Sequence, residues 1–91
     1  MKYTVKPTNR FRKEYKLAMK RGLNIRLLDA VITKLANGVP LEPANRDQEL
    51  TGDYAGHREC HVAPDWLLVY YIDEDVLVLS LVRTGSHSDL F

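Results

Sequence analysis

The 91 residues suffice for one small domain, residues 1–91, and are too few for two independent cores. An apolar content of 45% with 27% charged residues fits a folded globular protein and excludes a disordered chain. No apolar run approaches the roughly 20 residues that a membrane span needs, and Met1–Pro7 lacks the apolar centre of a signal peptide. One cysteine, Cys60, permits no internal disulfide, which fits a reducing cytoplasm. The net charge of +1 conceals a polarity. Residues 1–26 carry nine Lys and Arg against one acid, Glu14, a balance of +8; residues 27–91 carry four bases against eleven acids, a balance of −7. Such an imbalance suggests that one face meets a polyanion.

Tyr3-Thr4-Val5 reads as a first strand, stopped by Pro7. Thr8 or Asn9 caps a helix whose buried stripe is Phe11, Tyr15, Ala18 and Met19, with Arg12, Lys13, Lys16 and Lys20 turned mostly away; Gly22 ends it. Asn24 caps a second helix, in which Leu28, Ile32 and Leu35 repeat at helical spacing and Ile25, Leu27 and Val31 widen the face. Gly38 and Pro40 terminate it, and the short connection implies an antiparallel helical hairpin. Residues 38–53 read as a long loop. Beyond Gly52 and Gly56 the period becomes two, placing Arg58, Cys60 and Val62 on one side and His57, Glu59, His61 and Ala63 on the other. Pro64-Asp65 turns the chain into a central apolar strand, Trp66–Ile72. Asp73-Glu74-Asp75 reverses it, and Val76–Val82 returns as the antiparallel partner. Ser86 caps a final helical turn with Asp89 three residues on. The expected fold class is α+β, in the order β-α-α-β-β-β, with the helical hairpin on one face of a largely antiparallel sheet.

Two stretches carry chemistry. Arg83-Thr84-Gly85-Ser86-His87-Ser88-Asp89-Leu90-Phe91 sets an arginine, suited to phosphate, near a histidine, suited to proton transfer at neutral pH. His61-Val62-Ala63-Pro64-Asp65-Trp66 adds a second histidine, an acid and a tryptophan around one proline turn. The pattern Leu50-x-Gly52, Arg58-Glu59-x-His61-Val62-x-Pro64-Asp65-Trp66 and Arg83-x-Gly85-x-His87-x-x-Leu90-Phe91 resembles the YafQ branch of the RelE/ParE-like toxins, over nearly the whole chain. The resemblance implies a RelE-like fold and the toxin half of a bacterial toxin–antitoxin pair. It implies an endoribonuclease that cleaves mRNA in the ribosomal A site, with Arg10, Arg12, Lys13, Lys16, Lys20 and Arg21 gripping ribosomal RNA. The partner it implies is an antitoxin carrying a DNA-binding domain, bound to a toxin that is otherwise monomeric in the cytoplasm. ParE-like members of the superfamily instead inhibit DNA gyrase, and a catalytically weak relative acting through its antitoxin is a third reading.

RNA cleavage by the 2′-hydroxyl needs no metal. It needs a base for that hydroxyl, an acid for the departing 5′-oxygen, and cationic stabilisation of the transition state. His87 is the candidate acid and Arg83 the phosphate ligand. His61 and Asp65 are candidates for the base or for orienting it, Asp65 also for holding a histidine ring. Trp66 and Phe91 are candidates for stacking on bases, with core packing and C-terminal docking as their alternative roles. Cys60 reads as a small buried hydrophobe. No metal or other cofactor is expected: His57 and His61 are four apart on a strand, and no phosphate-binding glycine loop or Ser-His-Asp signature is present. One departure matters. The related pattern places a histidine just before the Leu-x-Gly element, where this chain has Gln48, which hydrogen-bonds substrate but transfers no proton.

Overall fold

The computed structural model describes all 91 residues. The chain runs β1 (Thr4–Pro7), α1 (Asn9–Lys20), α2 (Ile25–Ala36), β2 (Gln48–Glu49), β3 (Arg58–Ala63), β4 (Trp66–Asp73), β5 (Val78–Gly85) and α3 (His87–Leu90). The strands form one sheet in the order β1-β5-β4-β3-β2. β1 lies parallel to β5, and the other neighbours are antiparallel. This is the expected α+β order with one addition. The segment expected to be only a loop contains β2, whose Gln48 and Glu49 pair with Glu59 and Arg58. Two residues carry no readable period. Their register is held from beside them by Asp47, which accepts from Arg58 Nε at 3.2 Å and from the Tyr70 hydroxyl.

Both long helices begin where expected. Thr8 Oγ1 accepts from Phe11 N–H at 3.0 Å and donates to Val82 O at 2.9 Å, so one side chain caps α1 and ties it to β5. Asn24 caps α2 by accepting from Arg26 N–H at 3.2 Å. Gly22 and Gly38 follow the helices at φ +77° and +70°, the left-handed positions that a side chain disfavours. Tyr15 joins the two helices by donating to Asp29 Oδ1 at 2.9 Å.

The buried stripes are narrower than the spacing suggests. Phe11 and Ala18 are buried on α1, but Met19 is 53% exposed. At about 100° per residue it lies roughly 80° round the helix from Phe11, past the line of contact. On α2, Leu28, Val31 and Leu35 are buried while Leu27 is 46% exposed.

β4 separates two apolar clusters. Trp66, Leu68 and Tyr70 pack with Phe11, Leu28, Leu35, Cys60, Leu79 and Leu81 beneath the helices. The alternate residues Leu67 and Val69 face the other way and are covered by Leu90, with Leu50, Tyr54 and Val82 around them. Two register shifts break the alternation. One, between His61 and Ala63 in β3, leaves both Val62 and Ala63 on the helix side, so Ala63 does not share the face of His61 as strict alternation suggests. The other sets Arg83 of β5 opposite Val69 and Leu81 opposite Tyr70.

Leu28→Ala should lower stability by about 2–5 kcal/mol, whereas Leu27→Ala, one position round the same helix, should stay within about 0.5 kcal/mol. Thermal or urea unfolding of the two variants checks the orientation of α2.

Candidate active site

The helix-free face of the sheet carries the candidate residues in two rows. Gln48, Glu59, Val69 and Arg83 are in register across β2, β3, β4 and β5, and His61, Leu67 and Gly85 form the next row. After Gly85 the chain folds back as α3, and Leu90 seals it onto Leu67 and Val69. A Cβ on Gly85 would meet Asp89 at 3.1 Å, so close approach explains this glycine. The fold-back brings the His61 and His87 rings to 6.4 Å between centroids, with Phe91 at 5.7 Å from His87.

α3 is too short to persist unaided and is held by polar ties. Ser86 and Asp89 form a reciprocal capping box. Arg21 donates to Asp89 Oδ2 at 2.9 Å. Asp65 Oδ1 accepts from the backbone N–H of His87 at 3.1 Å. Asp65 therefore places the His87 backbone; it makes no hydrogen bond to either imidazole. His61 is tied at both ends. Asn45 Nδ2 donates to its carbonyl at 2.7 Å, and its Nδ1 lies 3.3 Å from Pro64 O. A carbonyl only accepts, so in the neutral ring this contact favours the tautomer with the proton on Nδ1 and the lone pair on Nε2.

Arg83 is buried and paired. Its Nε and Nη2 donate to Glu14 at 3.3 and 2.6 Å, its Nη1 to the Tyr54 hydroxyl at 3.4 Å, and its Nη2 to Asp89 O at 3.4 Å. The bond to Glu14 outweighs the opposing effect of burial and holds the guanidinium above the usual arginine range. Tyr54 links the parts, its ring edge-on to Phe91 and to His57 at 5.9 Å each. Phe91 is 59% exposed and offers a ring face. Trp66 does not: it is 4% exposed, and its Nε1 donates to Thr84 Oγ1 at 2.9 Å, which corrects the stacking expectation in favour of core packing. Gln48 is exposed at the outer end of its row. Glu59 beside it is buried, with Oε2 lacking any partner.

Arg10, Arg12, Lys13, Lys16 and Lys20 are exposed and enter no salt bridge; Arg21 differs, being bound to Asp89. Cys60 is fully buried, and burial first, then Asp47 and Glu59, push its thiol up to about 12, which leaves it unreactive. No group of three or more His, Cys, Asp or Glu side chains is arranged to hold a metal ion, and no helix is long and apolar enough to cross a membrane. A cavity of about 550 Å³ lies beside Glu14, Arg21, Asp65 and Arg83, and one of about 500 Å³ beside Asn45, Arg46 and His61. Tyr54, Glu14 and Asp89 escaped the sequence reading as site residues. Glu14 left a signal as the one acid in a segment of +8, and Asp89 as the capping-box position after Ser86.

Fold and site together define a small protein with a basic helix and a histidine pair set on the open face of its sheet. Residues 3–91 match the family model described as the bacterial toxin of type II toxin–antitoxin system, YafQ. The chain is 36% identical over 85 residues to the mRNA interferase toxin YafQ of Escherichia coli K12, covering 92% of this chain and 90% of that protein. It is similar to the metal-bound toxin from Helicobacter pylori, at 43% identity and a TM-score of 0.92, covering 98% of this chain and 99% of that one. It is also similar to YafQ in the E. coli DinJ–YafQ complex, at 34% identity and a TM-score of 0.90, with 98% of each chain covered. The chain belongs to the YafQ family of bacterial type II toxins, and its fold is RelE-like.

The Asp89 carboxyl is lowered to about 2, first by the Ser86 N–H and then by Arg21. A lowered carboxyl stabilises the fold above its unfolded value of 3.8 and loses that contribution as pH falls through the folded value. The docking of α3 should thus hold above about pH 4 and weaken between 4 and 2. An NMR titration of the Asp89 carboxyl should have its midpoint near 2, and Arg21→Gln should raise it only part of the way back, because Ser86 is the larger cause.

Proposed function

We propose that this toxin is an mRNA interferase, an endoribonuclease that cuts message on the ribosome in the cytoplasm and is silenced by a cognate antitoxin. The juxtaposition of His61 and His87 carries the reading: two imidazoles 6.4 Å apart can serve one phosphodiester. The family assignment, the mRNA interferase named among its relatives and the DinJ–YafQ assembly support it.

His61, with Nε2 free, takes the proton of the 2′-hydroxyl, whose oxygen attacks the adjacent phosphorus. His87 gives a proton to the departing 5′-oxygen. The products are a 2′,3′-cyclic phosphate and a free 5′-hydroxyl. Arg83 offers phosphate oxygens the edge that Tyr54 and Asp89 hold weakly. Phe91 stacks on a base beside the cut and helps bend the backbone toward in-line attack. Gln48 hydrogen-bonds the substrate at the far end of its row. Asp65 contributes by fixing the position of His87. The base function thus rests on His61, without need of a histidine at position 48.

The unpaired bases of α1 grip ribosomal RNA. Replacing Lys13, Lys16 and Lys20 together by Gln should weaken ribosome binding and reduce its log–log salt slope by about 1 per lost phosphate contact, with an unchanged melting temperature. The antitoxin covers part of this face with acidic residues.

The deciding experiment maps the ends of a defined mRNA incubated with the toxin, with and without translating ribosomes. Cuts are expected only with ribosomes, and His87→Ala should slow them by about 10²–10⁴-fold while the protein stays folded. A folded wild type that arrests growth yet cuts under neither condition would overturn the reading in favour of gyrase-type binding.

A further inference from the structure

Glu14 is the one acid among ten charged residues in positions 1–26, and it does not join the exposed basic face. β1 ends at Pro7, opposite Leu81, so β5 has no strand neighbour on that side beyond this point. Glu14 fills the gap. Its Oε1 accepts from the Thr84 backbone N–H at 3.3 Å and from Arg83 Nε at 3.3 Å, while Oε2 accepts from Arg83 Nη2 at 2.6 Å. The backbone bond orients the carboxylate independently of the arginine. The carboxylate in turn engages the guanidinium side-on, fixing its plane.

Arginine has five N–H donors in a rigid fork. Glu14, a charged acceptor, takes Nη2 at 2.6 Å and Nε at 3.3 Å. The other two contacts, to Tyr54 and Asp89, are 3.4 Å long and weak, and one Nη1 hydrogen has no partner. The edge left for a phosphate is thus the one facing Tyr54, whose ring touches Phe91. We propose that Glu14 is a positioning residue: anchored on the free edge of β5, it presents the Nη1/Nη2 edge of Arg83 to the scissile phosphate. This role rests on the ribonuclease reading. It also ties the helix that grips RNA to the arginine that meets the substrate.

The test compares Glu14→Gln, Arg83→Gln and the double variant. Gln is isosteric and still accepts from Thr84 N–H, which limits damage to the fold, and thermal melts identify any variant that fails to fold. Single-turnover cleavage of ribosome-bound message gives a maximal rate and a half-saturating ribosome concentration. Glu14→Gln should lower the rate by about 10- to 100-fold and leave half-saturation within about twofold. In the Arg83→Gln background the same change should cost less than about twofold, because its effect passes through the arginine. In proton–nitrogen NMR of the free toxin, the Arg83 Nε–H, bonded to Glu14 at 3.3 Å, should exchange slowly in the wild type and lose that protection in Glu14→Gln. Effects that multiply in the double variant, or a change confined to half-saturation, would overturn the proposal. A wild type that leaves message intact sinks the ribonuclease reading and this role with it. A wild type that cuts, beside a Glu14→Gln protein that cuts as fast, sinks this role alone.

Discussion

A strand with apolar side chains on both faces has to be covered twice, and that constraint on β4 shapes the rest of the molecule. Trp66 through Tyr70 are all buried. The helical hairpin covers one face with ordinary helix-on-sheet packing. The second face is covered by a single turn of helix, with Leu50, Tyr54 and Val82 around it. Leu90 lands on Leu67 and Val69, and this contact returns the tail across the sheet. His87 opens that turn and is carried to His61 by the same movement. The meeting of His61 and His87 is therefore a consequence of how the second face is closed, and the ties from Asp65 and Arg21 refine a position that apolar burial has already chosen.

The bulge in β5 decides which way Arg83 goes. Leu79 and Leu81 point beneath the helices, and by strict alternation Arg83 would follow them. A charged group there, without a partner, would cost several kcal/mol. The register shift sets Arg83 opposite Val69 instead and hands the inward position to Thr84, which receives Trp66 Nε1. One extra residue thus converts a core position into a site position and satisfies the indole in the same step. The bulge in β3 separates Ala63 from the face of His61 by the same means.

These events explain what the sequence could and could not reveal. Thr8, Asn24, Gly22 and Gly38 announce the helix ends because capping depends on neighbours close in sequence. The long strands show through because their apolar content exceeds anything a loop would carry. β2 is hidden, since it is only two exposed residues long, and its side-chain tie, Glu49 to Arg58 at 3.5 Å, exists only once the strands are paired. His61 and His87 stand out by residue type, yet their meeting depends on a fold-back that no period encodes. Trp66 was ambiguous for a physical reason: an indole serves equally as a stacking plate or a core filler, and burial alone separates the two. Tyr54 lies in an irregular segment, where side-chain direction follows from the fold and not from local pattern.

The distribution of bases divides two tasks that the net charge of +1 obscures. Arg21, Lys34, Arg58 and Arg83 are paired with acids, and three of these four brace α3, the β2–β3 edge and the site. Apart from Arg46, every unpaired Lys and Arg belongs to residues 1–26. The arginine fork suits the first task, because it fixes direction as well as charge. The exposed lysines and arginines of α1 suit the second, since a polyanion needs charge density more than geometry. The two tasks also respond differently to ions. Salt screens exposed charges over about 8–10 Å, while the largely buried Arg83–Glu14 pair is screened much less. Rising ionic strength therefore weakens the field of the exposed basic face before it disturbs the Arg83–Glu14 pair.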